Sequence, residues 1–221
     1  MFCTLYAGVA YGQRRGKQRM RFASVTTWLM LAALTGCQGA RVAPGSPPGV
    51  TEEPGAAALA GAQAAATLEQ SYGGVVRELE IEGRLGRCGA RLLRGTPQLA
   101  GSYQYRLLAS KRRNAFSLPG GRIYLTCGLY EILTSDDQLA AAVAHEMAHL
   151  EFGDCLRRCV AAEEMLQREL DADQAAIEYL RAADVPASAL AELLGLISED
   201  QPPAWSERRL AALGSERTSC P

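Results

Sequence analysis

The sequence predicts an α+β protein in which a small antiparallel sheet packs against one central helix and the carboxyl-terminal half is helical. Strand-like segments are confined to residues 103–126, and long segments with helical spacing of apolar residues follow from residue 135. Strands that precede the helices, rather than alternating with them, are typical of this class. Residues 67–221 are enough for one domain with a sufficient core.

The amino-terminal residues 1–36 are interpreted as a secretory signal peptide. Five basic residues precede the apolar segment 22–34, which is shorter than the roughly 20 residues that a spanning helix needs. The segment Leu34-Thr35-Gly36-Cys37 resembles a bacterial lipobox, which predicts lipidation of Cys37 and a membrane-anchored protein facing the periplasm or the cell exterior. Met20 is an alternative start, and a cleaved signal with an incidental cysteine is the alternative to lipidation.

Residues 37–66 are dense in glycine, proline and alanine, which predicts a flexible tether between the anchor and the domain at 67–221. Removal of residues 1–36 takes away five basic residues and no acidic ones, so the formal net charge moves from -1 to about -6. This acidic balance favours no nucleic-acid partner.

The amino-terminal half of the domain combines helices with the strands of the sheet. The turn residues Pro119-Gly120-Gly121 separate two short apolar runs, which predicts a hairpin. The predicted elements are a helix at 67–93, a strand at 103–109, hairpin strands at 115–118 and 122–126, and a short helix at 129–133.

The central helix is predicted from local signals alone. Ser135 followed three residues later by Gln138 forms a capping box. Apolar residues then recur at helical spacing as far as Leu150, which predicts an amphipathic helix, and Gly153 is a natural stop. Further helices are predicted at 163–180, where no glycine or proline occurs, at 187–197, and from 206 onward.

The only two histidines of the chain, His145 and His149, lie in one H-E-x-x-H motif on this helix. Because they are four residues apart, they share a face and can bind one metal ion. Glu146 is placed to act as the general base that activates a water molecule at that metal. The alternative is a histidine pair that caps or fills a core.

The helix at 163–180 offers three carboxylates for the same site. Glu169 and Asp173 share a face, whereas Asp171 points roughly 200° away. Two histidines and one carboxylate leave a position open, as in catalytic zinc sites. We therefore predict Glu169 as the third ligand and Asp173 as the acceptor for the far nitrogen of a ligating histidine. The alternative is a solvated acidic face.

Residues 114–129, the motif at 145–149 and the Glu-x-x-Ala-Asp sequence at 169–173 together resemble the zinc metallopeptidase family that includes HtpX and the CAAX prenyl protease. The likeness extends over roughly residues 68–183, and it is closest to the soluble periplasmic members of that family. It implies a gluzincin-like fold, one Zn²⁺ per chain, and endopeptidase activity on protein and peptide substrates.

The resemblance also implies roles for individual residues. By position, the metal ligands are His145, His149 and Glu169, and the general base is Glu146. It further favours an exposed edge strand that pairs with the substrate backbone, although an ordinary hairpin is the alternative. The substrate-binding residues expected there are Asn114, Ala115 and Phe116.

Two departures from the family pattern are evident. The connection between the two ligand-bearing helices is short, as in thermolysin-like peptidases, so a lid or membrane-facing segment is absent from it. The family often has a His-Pro pair before a carboxyl-terminal helix, whereas this chain has Gln201-Pro202. Arg208, Arg209 or a tyrosine could take over the oxyanion role of that histidine, and spacing does not choose among them.

The leading functional hypothesis is a membrane-tethered zinc endopeptidase that acts on exported or envelope proteins in quality control. The main alternative is a metallopeptidase-like module that binds or chaperones partners with little turnover, which the missing histidine motivates. A purely structural zinc site is disfavoured, because only three ligands are predicted.

Five cysteines fall in the folded part, and in an exported protein they favour disulfides. Cys155 and Cys159, four residues apart, are a candidate pair, but an odd number leaves one thiol free and spacing does not assign the pairing. The other three are Cys88, Cys127 and Cys220.

Overall fold

A computed structural model describes residues 54–96, 99, 102–157 and 161–215. The predicted signal peptide, Cys37, residues 37–53 of the predicted tether, Cys159 and Cys220 lie outside the described residues. Within the described ranges, no helix is both long enough and apolar enough to cross a membrane.

The described residues form seven α-helices and four strands, which confirms the α+β class. In chain order the elements are α1 (Pro54–Ser71), β1 (Val75–Val76), α2 (Leu79–Gly95), β2 (Gln104–Leu108), β3 (Ala115–Leu118), β4 (Arg122–Thr126), α3 (Cys127–Ile132), α4 (Asp136–Glu151), a 3-10 turn (Asp154–Leu156), α5 (Ala162–Ala182), α6 (Ser188–Leu196), a second 3-10 turn (Ser198–Asp200) and α7 (Pro203–Ser215).

The sheet has the strand order β1-β2-β4-β3. β1 pairs antiparallel with β2, and β3 pairs antiparallel with β4. The prediction of an antiparallel sheet is wrong for β2 and β4, which run parallel. The second strand of the hairpin, β4, takes the interior position between β2 and β3, and burial does not explain this choice, because β3 is buried along its whole length as well. β3 is left at the edge of the sheet.

The two faces of the sheet contact different partners, because successive side chains of a strand alternate. Ile123 and Leu125 of β4 point into the main core, which the sheet shares with α2, α4, α5 and α6. Tyr124 of β4 and Phe116 of β3 point the other way, into a smaller cluster with Leu68 of α1. The helix α4, which carries the H-E-x-x-H motif, therefore lies on the side of the sheet that faces the main core.

α4 is the central helix of the domain. Its predicted start and stop are confirmed: the Ser135 hydroxyl accepts a hydrogen bond from the Gln138 amide at 3.1 Å, and Gly153 has a left-handed φ of 66°. The helix is not amphipathic, however, because it is buried on all sides from Gln138 to His149. Small residues such as Ala141 and Ala144 let helices and sheet approach it closely.

The predicted tether at 37–66 is wrong over residues 54–66, where α1 has already begun. Its sequence explains the difference. Pro54 occupies the first position, which proline tolerates, and alanine, the strongest helix former, dominates the segment. Ala65 and Leu68 are buried against the outer face of the sheet, which fixes the end of the helix in place.

The predicted single helix at 67–93 is two helices, α1 and α2, with β1 between them. Gly73 and Gly74 follow α1 with φ values of 83° and 90°. Only glycine adopts this left-handed region without strain, so the pair ends the helix and turns the chain into β1.

Cys88 and Cys127 are thiols, so neither takes part in a disulfide of the kind expected on export. Burial raises the pKa of Cys88 to about 11. A thiol with a raised pKa in apolar surroundings is unreactive, and Cys88 therefore serves the packing of the main core.

Candidate active site

α4 and α5 bring the three predicted metal ligands to one point. The Nε2 atoms of His145 and His149 lie 3.1 Å apart. The two carboxylate oxygens of Glu169 lie 3.5 Å from His145 Nε2 and 3.6 Å from His149 Nε2. All three side chains are buried, and they form a group able to hold a metal ion.

The spacing of these donor atoms fits zinc. A tetrahedral zinc ion with bonds of about 2.1 Å places its ligands about 3.4 Å apart. The separation of the two histidine nitrogens, 3.1 Å, lies close to that value, and each histidine has one oxygen of Glu169 at a similar distance, Oε2 at 3.5 Å from His145 and Oε1 at 3.6 Å from His149. Two imidazoles and one carboxylate are also the donor set of catalytic zinc sites, which leave a position open.

Each histidine has a carboxylate at its other ring nitrogen. Asp173 Oδ1 lies 3.0 Å from His145 Nδ1, one helical turn beyond Glu169, where the sequence predicts it. Asp154 Oδ2 lies 3.0 Å from His149 Nδ1. A carboxylate at Nδ1 fixes the tautomer in which Nε2 carries the free lone pair, and it orients the ring toward the metal position.

Asp154 is a site residue that the sequence analysis missed. It begins the 3-10 turn directly after Gly153, whose left-handed conformation turns the chain back toward α4. The signal available in the sequence was an aspartate five residues after His149, beyond the predicted helix stop. Its buried position depends on that turn, which helical spacing does not describe.

Arg209 of α7 completes the site, and its exposed fraction is only 1%. Its Nε and Nη2 atoms donate to the two oxygens of Asp173 at 2.7 and 2.6 Å. Its Nη1 atom lies 2.9 Å from Glu169 Oε2 and 3.3 Å from Gln201 Oε1. Arg208, the neighbouring candidate, is exposed and pairs with Glu163 instead.

The buried charges of the site leave a deficit of positive charge. The carboxylates of Glu146, Glu169 and Asp173 are buried with one guanidinium, that of Arg209, so the carboxylates outnumber the guanidinium by two while the imidazole of His145 is neutral. Asp154, the fourth carboxylate, has Arg168 Nε at 3.9 Å. Buried charge is costly unless it is compensated, so a dication suits this cluster.

The pKa values of the paired groups follow from their contacts. Burial opposes the charged form of Asp173, but Arg209 outweighs it and lowers the pKa of this carboxyl below its usual value. Burial also opposes the charged form of His145, but Asp173 and Glu169 outweigh it and raise the pKa of the imidazole to about 9. A proton and a metal ion therefore compete for His145.

Glu146 is fully buried beside the two histidines. Among the described residues, neither of its carboxylate oxygens has a hydrogen-bond partner. Burial raises the pKa of Glu146 above its usual value, and the Glu169 carboxylate adds to this effect. Buried polar atoms are almost always paired, so two unpaired oxygens mark a place for water or a reacting group.

The edge strand β3 lies next to this carboxylate. Ala115 lines the same pocket as His145 and Glu146, and its other walls are apolar side chains, most of them from α3 and α6, and the side chain of Arg209. The backbone amide of Thr126 donates a hydrogen bond to the backbone carbonyl of Asn114. This bond sets the register, and so determines which residues of β3 form backbone hydrogen bonds with β4. By alternation, Ala115 and Ser117 direct their backbone groups to the free edge.

Of the three predicted substrate-binding residues, the structure brings Ala115 to the site and turns Phe116 away. The Phe116 ring packs edge-on against Tyr72, with centroids 4.7 Å apart, on the outer face of the sheet. Asn114 uses its side-chain oxygen to accept the amide hydrogen of Ala115. The period of two along a strand, which the prediction ignored, puts Ser117 in the place expected for Phe116.

Comparison with known proteins supports one family. Residues 82–167 match the model of Peptidase family M48. The matched segment runs from α2 into α5, includes both histidines and Glu146, and ends two residues before Glu169. It is consistent with the gluzincin-like fold. No curated protein matches the chain.

Proposed function

We propose that this chain is a zinc-dependent metalloendopeptidase. The observation that carries the proposal is the convergence of His145, His149 and Glu169 around one point with the unpaired carboxylate of Glu146 beside it. The match to Peptidase family M48 supports the same activity from an independent direction.

A zinc ion in such a site acidifies water and polarises a peptide carbonyl. Glu146 accepts the proton of the attacking water and passes it to the leaving amine. Burial raises the pKa of this carboxyl above its usual value, which suits a group that first accepts a proton and then returns it. Asp173 and Asp154 hold the imidazoles in the ligating tautomer.

The substrate is a polypeptide in extended conformation. The free edge of β3 offers the carbonyl of Ala115 and the backbone groups of Ser117, which can pair with a peptide as an added strand. Such pairing carries the scissile bond past Glu146 and places no demand on the substrate sequence. This geometry suits an enzyme that acts on many unfolded exported proteins.

The proposed place of action is a cell envelope, with the domain anchored through a lipidated Cys37. The basic residues before the apolar segment 22–34 and the lipobox-like sequence that follows it motivate this location.

The decisive experiment replaces Glu146 with glutamine, which keeps the shape of the side chain but removes its basicity. Glu146→Gln should retain about one zinc ion per chain and lose roughly 10²-fold or more of its casein cleavage. Metal analysis and a chelator-sensitive cleavage assay measure the two quantities on the same preparation.

The matched control is Glu178→Gln, an exposed carboxylate on α5, which should behave as the wild type. Undiminished cleavage by Glu146→Gln would contradict the role of Glu146 as the general base. Stoichiometric zinc in a wild-type protein without chelator-sensitive cleavage would instead favour the binding or chaperone module.

A further inference from the structure

The contacts of Arg209 link two residues of the metal site to a third helix. Its guanidinium donates hydrogen bonds to both carboxylate oxygens of Asp173 and also lies 2.9 Å from the carboxylate of Glu169. Asp173 in turn lies 3.0 Å from the Nδ1 atom of His145. Arg209 therefore contacts the predicted ligand Glu169 directly. It reaches a second predicted ligand, His145, through the carboxylate of Asp173.

We infer that Arg209, although it also lines the pocket beside Glu146, is a positioning residue that sets the affinity of the site for zinc. This inference rests on the proposed zinc site. Within the part of the chain that the structure describes, the guanidinium contacts side-chain oxygens of Asp173, Glu169 and Gln201. A side chain with five N–H donors so engaged has little capacity left for a reacting oxyanion.

Two effects of Arg209 on zinc oppose each other. Its positive charge repels a cation held by Glu169, so its loss alone would tighten binding. Its hydrogen bonds, however, hold two like-charged buried carboxylates in the orientation that ligation needs. Without them, the side chains of Glu169 and Asp173 rotate out of the ligating orientation, and this must be reversed before zinc binds. We expect the loss of orientation to outweigh the loss of repulsion, because removing a group that orients metal ligands lowers metal affinity about 10–100-fold.

The test measures zinc affinity by competition with a chromogenic chelator, independently of turnover. Arg209→Met should weaken zinc binding about tenfold or more, and Arg209→Lys, which keeps the charge but loses the planar fork, should weaken it less. Arg208→Met is the matched control: its side chain is exposed, pairs with Glu163, and should leave zinc affinity unchanged.

A double-mutant cycle separates positioning from a general loss of stability. If Arg209 acts through Asp173, the loss in zinc affinity of Arg209→Met combined with Asp173→Asn will be smaller than the two single losses together. Additive losses, at equal zinc-free thermal stability, would contradict this route. Should Arg209→Met fail to fold, Arg209→Lys carries both comparisons, since it retains a buried cation.

The failure of this inference differs from the failure of the proposed function. A wild-type chain without zinc affinity overturns the proposed function itself. Wild-type zinc affinity in both Arg209 variants, accompanied by a fall in kcat at unchanged KM, overturns only the inference, because Arg209 would then act on the transition state.

Discussion

At the scale of single residues, Asp154 contacts a ligand through one carboxylate oxygen and faces cations through the other. Oδ2 lies 3.0 Å from His149 Nδ1, whereas Oδ1 lies 3.8 Å from Arg157 Nη1 and 3.9 Å from Arg168 Nε. The two arginines compensate part of the cost of burying this carboxylate. His149 thus has an outer partner equivalent to the one that Asp173 gives His145.

We predict that Asp154→Asn lowers zinc affinity by about 10–100-fold, because an amide cannot hold the Nδ1 proton as a carboxylate does. Asp171→Asn, on the exposed side of α5, is the matched control and should bind zinc as the wild type does. Competition with a chelator measures the zinc affinity of both variants. Equal affinities would show that the contact of Asp154 with His149 does not support the metal.

Residues whose roles follow from spacing within one helix could be predicted from the sequence. The ligand pair on α4 and the Glu169–Asp173 pair on α5 are of this kind. Asp154 and Arg209 are not, because the first needs the turn at Gly153 and the second needs the packing of α7 on α5. Whether Arg208 or Arg209 reaches the site depends on which of the two side chains is buried. The sequence of two adjacent arginines does not indicate this.

At the scale of elements, both ends of α4 were predicted, whereas the break between α1 and α2 and the parallel pairing of β2 with β4 were not. The Ser135 cap and the Gly153 stop are local, so the sequence contains them completely. The parallel pairing of β2 with β4 depends on which hairpin strand enters the sheet, which is a long-range choice. The all-round burial of α4 has the same origin, since it depends on what surrounds the helix.

Two glycines with space around them allow the stop of α4 to be tested. A Cβ atom would meet nothing within 4 Å at Gly153 or at Gly195, but only Gly153 has a positive φ. Gly153→Ala should therefore lower the free energy of unfolding by about 1–2 kcal/mol. Gly195→Ala, inside α6, should raise it by about 0.5–1 kcal/mol. Urea denaturation of the zinc-free proteins measures both, and a change of the same sign in the two variants would contradict this assignment.

At the scale of the whole molecule, the metal site and the proposed anchor are far apart in the sequence. The site residues begin at Ala115, whereas the lipobox-like sequence ends at Cys37. The acidic net charge of about -6 expected after processing does not favour binding to an anionic membrane surface. We therefore propose that attachment to a membrane depends on the lipid.

We predict that Cys37→Ser moves the full chain from the membrane fraction to the soluble fraction of the expressing cells, while chelator-sensitive cleavage is unchanged. Cys127→Ser, a thiol within the domain, is the control and should stay with the membranes. Fractionation followed by immunoblotting measures the distribution. A Cys37 variant that remains in the membrane fraction would rule out this anchor.

The position of Arg209 on α7 has a consequence for the order in which a newly made chain acquires its metal. Translation delivers His145, His149 and Glu169 first, on two helices that contact each other directly. The guanidinium that orients Glu169 and Asp173 emerges only with α7. We therefore expect nascent chains that lack α7 to hold zinc weakly, so that metal uptake reports completion of the domain rather than the meeting of the two ligand helices.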